Sequence, residues 1–389
     1  MKIGIFSDTF PPQVNGVANT ALTSAIVLSN LGHDVYVYTV SGSLFNREEK
    51  AEDEKEFPFT LVRLPSIPAV VYHDQRIPLP LGLAVKHARK VGLDIIHTHT
   101  PFSVGWEAIL TARFFKIPIV GTHHTFYDKY LKHVKLDYDF AKSLSWDYIN
   151  FYYNRCDIVL SPSKSLAIEL KNFGLVSPVE IMINPIDTEL FKPVKNNRIK
   201  QQLKQTLGVK DRSLVYMGRV SYEKKIDQII KAFALVIKQK SELGLVIVGD
   251  GPERNKLEAL SKSLGLKNHI LFTGFKRGEE LVEILQANDI FITASDSENM
   301  PLSVLEAMAV GLPVIGANAL GIPEIVEDNV NGFLFEPDNT KDLAQKIITL
   351  IGNNQLLDSF SQNSRKLALN YSQENVTRSL ETVYERIIK

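Results

Sequence analysis

Cysteine is nearly missing from these 389 residues: Cys156 stands alone. One thiol excludes an internal disulfide and any cysteine-based metal cluster, and it fits a reducing compartment. Charge of one sign is missing as well. Lys and Arg total 44, Asp and Glu total 44, and the formal net charge is +0, so nothing global argues for nucleic acid. A membrane or an acidic partner would have to be met by a local patch. No apolar run approaches the length that spans a bilayer. The opening M-K-I-G-I-F-S-D-T-F reads as a strand entering a loop, interrupted too early for a signal peptide. The expectation is a cytoplasmic protein able to rest on a membrane surface. The loop after the first strand also lacks G-x-G-x-x-G; only Gly16 lies in it, which removes most support for an NAD enzyme.

What is present describes a soluble globular chain, 44% hydrophobic and 23% charged, long enough for two domains. Strands are expected at Lys2–Ser7, Asp34–Val40, Thr60–Leu64, Ile95–Thr98, Ile117–Thr122 and Ile158–Ser161, with helical segments between them, the first over Asn19–Leu31. Asn46–Glu56 is charge-dense and reads as a solvated excursion. The stretch Pro185–Pro193 reads as a linker. After it the pattern repeats, with strands at Ser213–Met217, Leu243–Val248, Ile270–Thr273, Asp289–Ala294, Pro313–Gly316 and Gly332–Phe335. Alternation of this kind predicts parallel sheets covered on both faces. Two doubly wound halves facing each other would hold a ligand in the cleft at the carboxyl ends of their strands. The last segment, Ser372–Ile388, is an amphipathic helix with Val376, Leu380, Val383 and Ile387 on one stripe.

Chemistry concentrates in Ala294–Gly311, A-S-D-S-E-N-M-P-L-S-V-L-E-A-M-A-V-G. Strand, polar turn and helix leave backbone N–H groups pointing at an anion, with Pro301 expected at the first helical position. Glu298 precedes the helix, and Glu306 lies within it between Leu305 and Ala307. Eight helical positions span up to roughly 12 Å, about the reach of a phosphorylated sugar joined to a ribose. A carboxylate among apolar neighbours is costly unless it is hydrogen-bonded, and sugar hydroxyls would supply that; a solvated helix residue is the plainer alternative. Arg219 and Lys224, in G-R-V-S-Y-E-K-K, stand where both would converge on a diphosphate, or serve as surface charges. Gly249 lies in a turn that punctuation explains as well as ligand contact does. Phe275 and Lys276 follow a strand end where backbone groups would hold a base.

In the first half, His123 and His124 close the strand I-V-G-T-H-H-T, as ligand contacts or as satisfied turn residues. His97 and His99 alternate on a strand and point the same way, without the Glu or Cys spacing of a zinc site. Asp137-Tyr138-Asp139 looks like a metal-binding Asp-x-Asp but is not at a strand end. Tyr127–Tyr153 interleaves Lys129, Lys132, His133, Lys135 and Lys142 with aromatic residues. That composition suits either an interfacial helix or a packed structural one.

Glu298 with Glu306, G-R-x-x-x-E-K from Gly218, the N-G-V loop at Asn15 and the T-H-H-T end together resemble the retaining glycosyltransferases of family 4. The resemblance covers essentially the whole chain. It implies the GT-B fold: an N-terminal Rossmann-like acceptor domain over 1–188 joined by a returning helix at 371–389, and a donor domain over 189–370. It further implies that Glu298 holds donor hexose hydroxyls and Glu306 the ribose. Arg219 and Lys224 would neutralise the diphosphate, with backbone N–H groups near Asn299, Met300, Pro301 and Leu302 and with Gly16; His124 would contact the transferred sugar. Met300-Pro301 and Lys225 depart from the usual residues, Lys225 standing where Gly is common. No metal site is implied; magnesium would be a helper to the diphosphate. Within the family, S-D-T-F-P-P-Q-V-N-G-V and T-H-H-T-F-Y-D-K-Y are similar to the bacterial diacylglycerol glucosyltransferases. The expected donor is UDP-glucose, the expected acceptor diacylglycerol, and the expected location the inner face of the cell membrane. Rival expectations are another family 4 acceptor (an inositol lipid, a mannosyl lipid or a polysaccharide) and a sugar-nucleotide epimerase.

Overall fold

Unbroken apolar runs become strands, and the central ones, such as Leu243–Val248, Ile290–Thr293 and Val314–Ala317, are buried along their whole length. In the computed structural model, residues 1–13, 15–41, 57–68, 76–78, 81–126 and 138–388 are described. The charge-dense segment 46–56 and the basic stretch at 127–137 lie outside them. The chain divides into two compact units, Met1–Pro185 with Gln373–Lys389, and Ile186–Ser372.

The first unit runs β1 (Lys2–Phe6), α1 (Gly16–Asn30), β2 (Asp34–Val40), β3 (Thr60–Leu64), β4 (Ser66–Pro68), β5 (Arg76–Pro78), α2 (Leu83–Val91), β6 (Ile95–Thr98), α3 (Ser103–Phe115), β7 (Ile119–Thr122), α4 (Asp139–Tyr153), β8 (Ile158–Ser161), α5 (Lys164–Asn172) and β9 (Val179–Ile181). Seven strands form a parallel sheet in the order β3-β2-β1-β6-β7-β8-β9. α1 starts three residues earlier than its apolar spacing predicts, because the Asn15 side chain accepts a hydrogen bond from the Ala18 N–H and caps it. The antiparallel ribbon β4-β5 was not legible: three residues per strand, each ending in proline, give no period to read.

The C-terminal helix, named α13 (Gln373–Ile388) in chain order, belongs to this unit. Leu380, Val383 and Tyr384 pack in one cluster with Ala21, Ala25 and Leu28 of α1 and with Ile3, Val37 and Ile95 of the sheet.

The second unit contains α6 (Asn197–Leu207), β10 (Arg212–Met217), α7 (Ile226–Ile237), β11 (Leu243–Val248), α8 (Arg254–Ser263), β12 (Ile270–Gly274), α9 (Gly278–Gln286), β13 (Ile290–Thr293), α10 (Leu302–Ala309), β14 (Val314–Ala317), β15 (Gly332–Phe335), α11 (Thr340–Ile351) and α12 (Asn354–Leu369). Its parallel sheet has the order β12-β11-β10-β13-β14-β15, the doubly wound pattern in which strand order reverses once. Pro301 is the residue before α10 rather than its first helical position, with ψ 115° keeping it extended. The expected linker is a fastened segment. Ile186 N–H bonds the Tyr371 carbonyl, and the Arg365 guanidinium donates to the carbonyls of Thr188, Phe191 and Ala309.

Lys204 is a charge inside this unit, 2% exposed. Its Nζ donates to Asp289 Oδ2 at 2.7 Å and to the Asp211 carbonyl at 2.7 Å, while Asp289 also accepts from the Ser213 N–H. Removing one partner of such a pair leaves an uncompensated buried charge. Asp289→Asn is expected to lower the unit's stability by about 3 kcal/mol in urea denaturation; an unchanged midpoint would show that backbone carbonyls suffice for Lys204.

Candidate active site

The strand order reverses between β10 and β13, the switch beyond which doubly wound sheets bind their ligands. One loop carries Gly218, Arg219 and the short 3-10 turn Tyr222–Lys224; the other carries Ala294 to Pro301. Lys224 Nζ donates to Glu298 Oε1 at 2.6 Å, so the structure brings two sequence-predicted residues into direct contact. Arg219 is exposed, and its carbonyl is held by the Tyr216 hydroxyl at 3.1 Å. Lys225 adopts φ 50°, the left-handed region that favours glycine. That backbone suits the glycine that the sequence resemblance leads one to expect at this position, and here ion pairs to Asp296 (2.6 Å) and Asp338 (2.8 Å) hold the lysine.

The turn bearing Glu298 is set by backbone packing. The Gly321 N–H donates to the Glu298 carbonyl at 3.0 Å, and a Cβ on Gly321 would lie 1.4 Å from the Asn299 carbonyl oxygen. Asn299, Met300 and Pro301 are buried beneath it, and Leu302 is half-buried at the start of α10. No side chain caps α10, which leaves its first N–H groups for another acceptor. One turn further, Glu306 is half-buried, and its carboxyl has no hydrogen bond or cation among the described residues. Burial alone pushes its carboxyl up to about 8. A carboxyl so placed lacks the donors that would keep it ionised.

Other expected contacts take plainer roles. Gly249, at φ 133°, packs where a Cβ would lie 1.8 Å from the Gly218 carbonyl oxygen, so the close approach of two loops accounts for this glycine. Phe275 is exposed, and Lys276 pairs with Glu280 at 3.3 Å. Beside Lys276 a cavity of about 160 Å³ is lined by Leu207, Val246, Leu271, Thr273 and Ile284. It includes neither Glu298 nor Glu306, so empty volume does not mark the polar cluster.

In the first unit Gly16 opens α1, exposed, its carbonyl accepting from the Thr20 hydroxyl. His124 lies just beyond β7, half-buried, its Nε2 3.1 Å from His99 Nδ1 with the rings stacked. Desolvation lowers His124 to about 4, and burial with the neighbouring imidazoles holds His99 well below the ordinary range, so both are neutral near pH 7. His97 bonds Tyr384 of α13 and Thr122, each at 2.6 Å. The sequence pointed to these histidines but not to the pairing of His99 with His124. Asp8, to which the sequence assigns no role although it lies in the quoted S-D-T-F stretch, sits at this sheet's switch between β1 and β6. It accepts from Thr100, Ser103 and the Val104 N–H at 2.6, 2.6 and 2.8 Å, anchoring the start of α3. Its partners lie more than ninety residues away in the chain, and only folding reveals them.

Gly321→Ala should force the Glu298 turn from its place, lowering stability by about 2 kcal/mol in thermal or urea denaturation. Wild-type stability in that variant would mean the turn relaxes freely and does not fix Glu298.

Residues 197–367 match the sequence model of the family described as Glycosyl transferases group 1, and residues 14–190 match Glycosyltransferase Family 4. The chain is 33% identical over 355 residues to an alpha-monoglucosyldiacylglycerol synthase of Streptococcus pneumoniae, spanning 90% of this chain and 78% of that one. It is 31% identical to the enzyme of the same name from Acholeplasma laidlawii, spanning 100% and 98%. A crystal structure of Anabaena HepE in complex with UDP superposes with a TM-score of 0.81, covering 99% of this chain and 100% of that one; at 20% identity the likeness establishes the GT-B fold alone. Taken with the parallel sheets and the motif residues at their strand ends, these matches make the chain a member of the family 4 glycosyltransferases.

Proposed function

We propose that this glycosyltransferase moves glucose from UDP-glucose to 1,2-diacylglycerol with retention, making an α-glucosyldiacylglycerol. The observation that supports this most is the likeness, over most of both chains, to two alpha-monoglucosyldiacylglycerol synthases. The polar cluster of the second unit suits a nucleotide-sugar. Glu306 would accept the ribose hydroxyls and Glu298 those of the hexose. Arg219 and Lys224, with the uncapped start of α10, would neutralise the diphosphate. Gly16 would let backbone approach the phosphates, and His124 would contact the transferred sugar. As the bond from the anomeric carbon to the phosphate oxygen breaks, negative charge grows on the leaving UDP. Stabilising that charge and positioning the acceptor hydroxyl, whose proton passes to a phosphate oxygen on the same face, are the work asked of these residues. A divalent ion would assist at the diphosphate. A lipid acceptor calls for attachment at the inner membrane surface, and no helix among the described residues is long and apolar enough to cross a bilayer.

Donor consumption by the purified protein should depend on diacylglycerol vesicles, choose UDP-glucose over other nucleotide sugars, and fall at least about a hundredfold in Glu298→Ala. Turnover indifferent to lipid, or onto a soluble sugar, would refute the acceptor.

Glu306 provides a second test. An ionised carboxylate accepts ribose hydroxyls best, so binding near pH 7 should release a proton from a group held near 8 in the free protein. Affinity for UDP-glucose should rise about tenfold or more from pH 6 to pH 8, and Glu306→Gln should abolish that slope. Calorimetry in buffers of different ionisation enthalpy reads the proton directly; equal slopes in both proteins would remove Glu306 from the ribose.

A further inference from the structure

α4 is apolar on two opposite sides. Trp146, Ile149, Tyr152 and Tyr153 are buried against the sheet and its neighbours. The outward side carries Phe140 (79% exposed), Leu144 (57%), Tyr148 and Phe151, at intervals of four, four and three residues, which is one helical stripe. Leu110 and Phe114 (61% exposed) continue the apolar surface onto α3. A surface helix ordinarily turns polar residues outward, so a contiguous apolar patch of this kind marks an interaction surface.

We propose that this stripe on α3 and α4 seats the enzyme on a bilayer whose surface carries anionic headgroups. Charge points to that occupant. On a chain of zero net charge, Arg113 and Lys116 flank Phe114, and Arg155 lies just past the end of α4 over the Phe151 ring, against Asp147 alone among the described carboxylates of the outward face. Aromatic residues set among lysine and arginine are the composition of membrane-interface surfaces. The same basic excess disfavours a second copy of the chain, because a two-fold contact would place the cationic patch against itself. The patch is also preformed. Trp106 of α3 donates to the Tyr148 hydroxyl at 3.0 Å and touches the Phe151 ring, and the Arg155 guanidinium lies 3.5 Å over Phe151. Position supports the same reading: Trp146 of α4 packs against His123, just past the carboxyl end of β7 (ring centroids 6.3 Å), and Phe140 and Leu144 lie on the N-terminal side of Trp146 in the same helix.

This inference rests on the lipid-acceptor reading, and its test separates the two. The protein's only two tryptophans, Trp106 and Trp146, lie on these two helices. Wild-type protein and the triple variant Phe114→Ser, Phe140→Ser, Leu144→Ser are floated with vesicles of phosphatidylcholine and phosphatidylglycerol. Turnover is assayed in parallel on a short-chain, monomeric diacylglycerol. The variant should partition at least about tenfold more weakly and keep turnover on the monomeric acceptor within about twofold of wild type. Brominated lipid should quench wild-type tryptophan fluorescence. A variant that floats like wild type, or floating without quenching, places the membrane contact elsewhere and overturns this face while leaving the lipid acceptor standing. A wild-type protein that does not float and glycosylates a soluble sugar overturns both. Dimers dispersed by the substitutions, with vesicle binding unchanged, would assign the stripe to a second copy instead.

Discussion

The second unit depends on one topological constraint: its strand order reverses once, between β10 and β13, and the loops leaving those strands must part. Everything assigned to the donor hangs on that parting. One loop delivers Arg219 and Lys224, the other Glu298 and the uncapped start of α10, and the 2.6 Å contact between Lys224 and Glu298 ties them together. Two glycines make the arrangement tight. Gly249 lets the loop after β11 press on Gly218, and Gly321 lets its own backbone support the Glu298 turn at a distance no side chain would allow.

The electrostatics of the free protein complement a ligand with both hydroxyls and phosphate charge. Lys224 is neutralised by Glu298, and Lys225 by Asp296 and Asp338. Glu306 has no such partner and is held protonated by burial. A nucleotide-sugar bound as proposed would offer Lys224 a second anion, give Glu298 hydroxyl donors, and with its ribose hydroxyls favour the ionised form of Glu306. Binding would thereby organise charge that the free protein keeps self-paired or suppressed.

Much of this architecture was legible in the sequence because its strands are continuous apolar runs. Asp34–Val40, Thr60–Leu64, Ile95–Thr98, Ile158–Ser161, Leu243–Val248 and Gly332–Phe335 form with the predicted bounds. Helix starts were harder, since Asn15 caps α1 through a side-chain bond that periodicity does not register. The polar turn with Glu298 and Glu306 stood out through its charge among apolar neighbours. What fixes it did not: Gly321 reads as an ordinary turn glycine until its carbonyl neighbour is seen. The pairing of His99 with His124 and the role of Asp8 escaped for the same reason, the partners being distant in the chain. Basic and aromatic residues near α4 were visible as composition, but only the structure shows which of them face outward.

The central claim is that the loops beyond β10 and β13 hold the nucleotide of the donor. A crystal structure with UDP-glucose bound tests it most directly. The account expects ribose hydroxyls within hydrogen-bond distance of Glu306 and the diphosphate against Arg219, Lys224 and the first N–H groups of α10. A nucleotide found away from Glu306, with that carboxyl still without a donor, would contradict it.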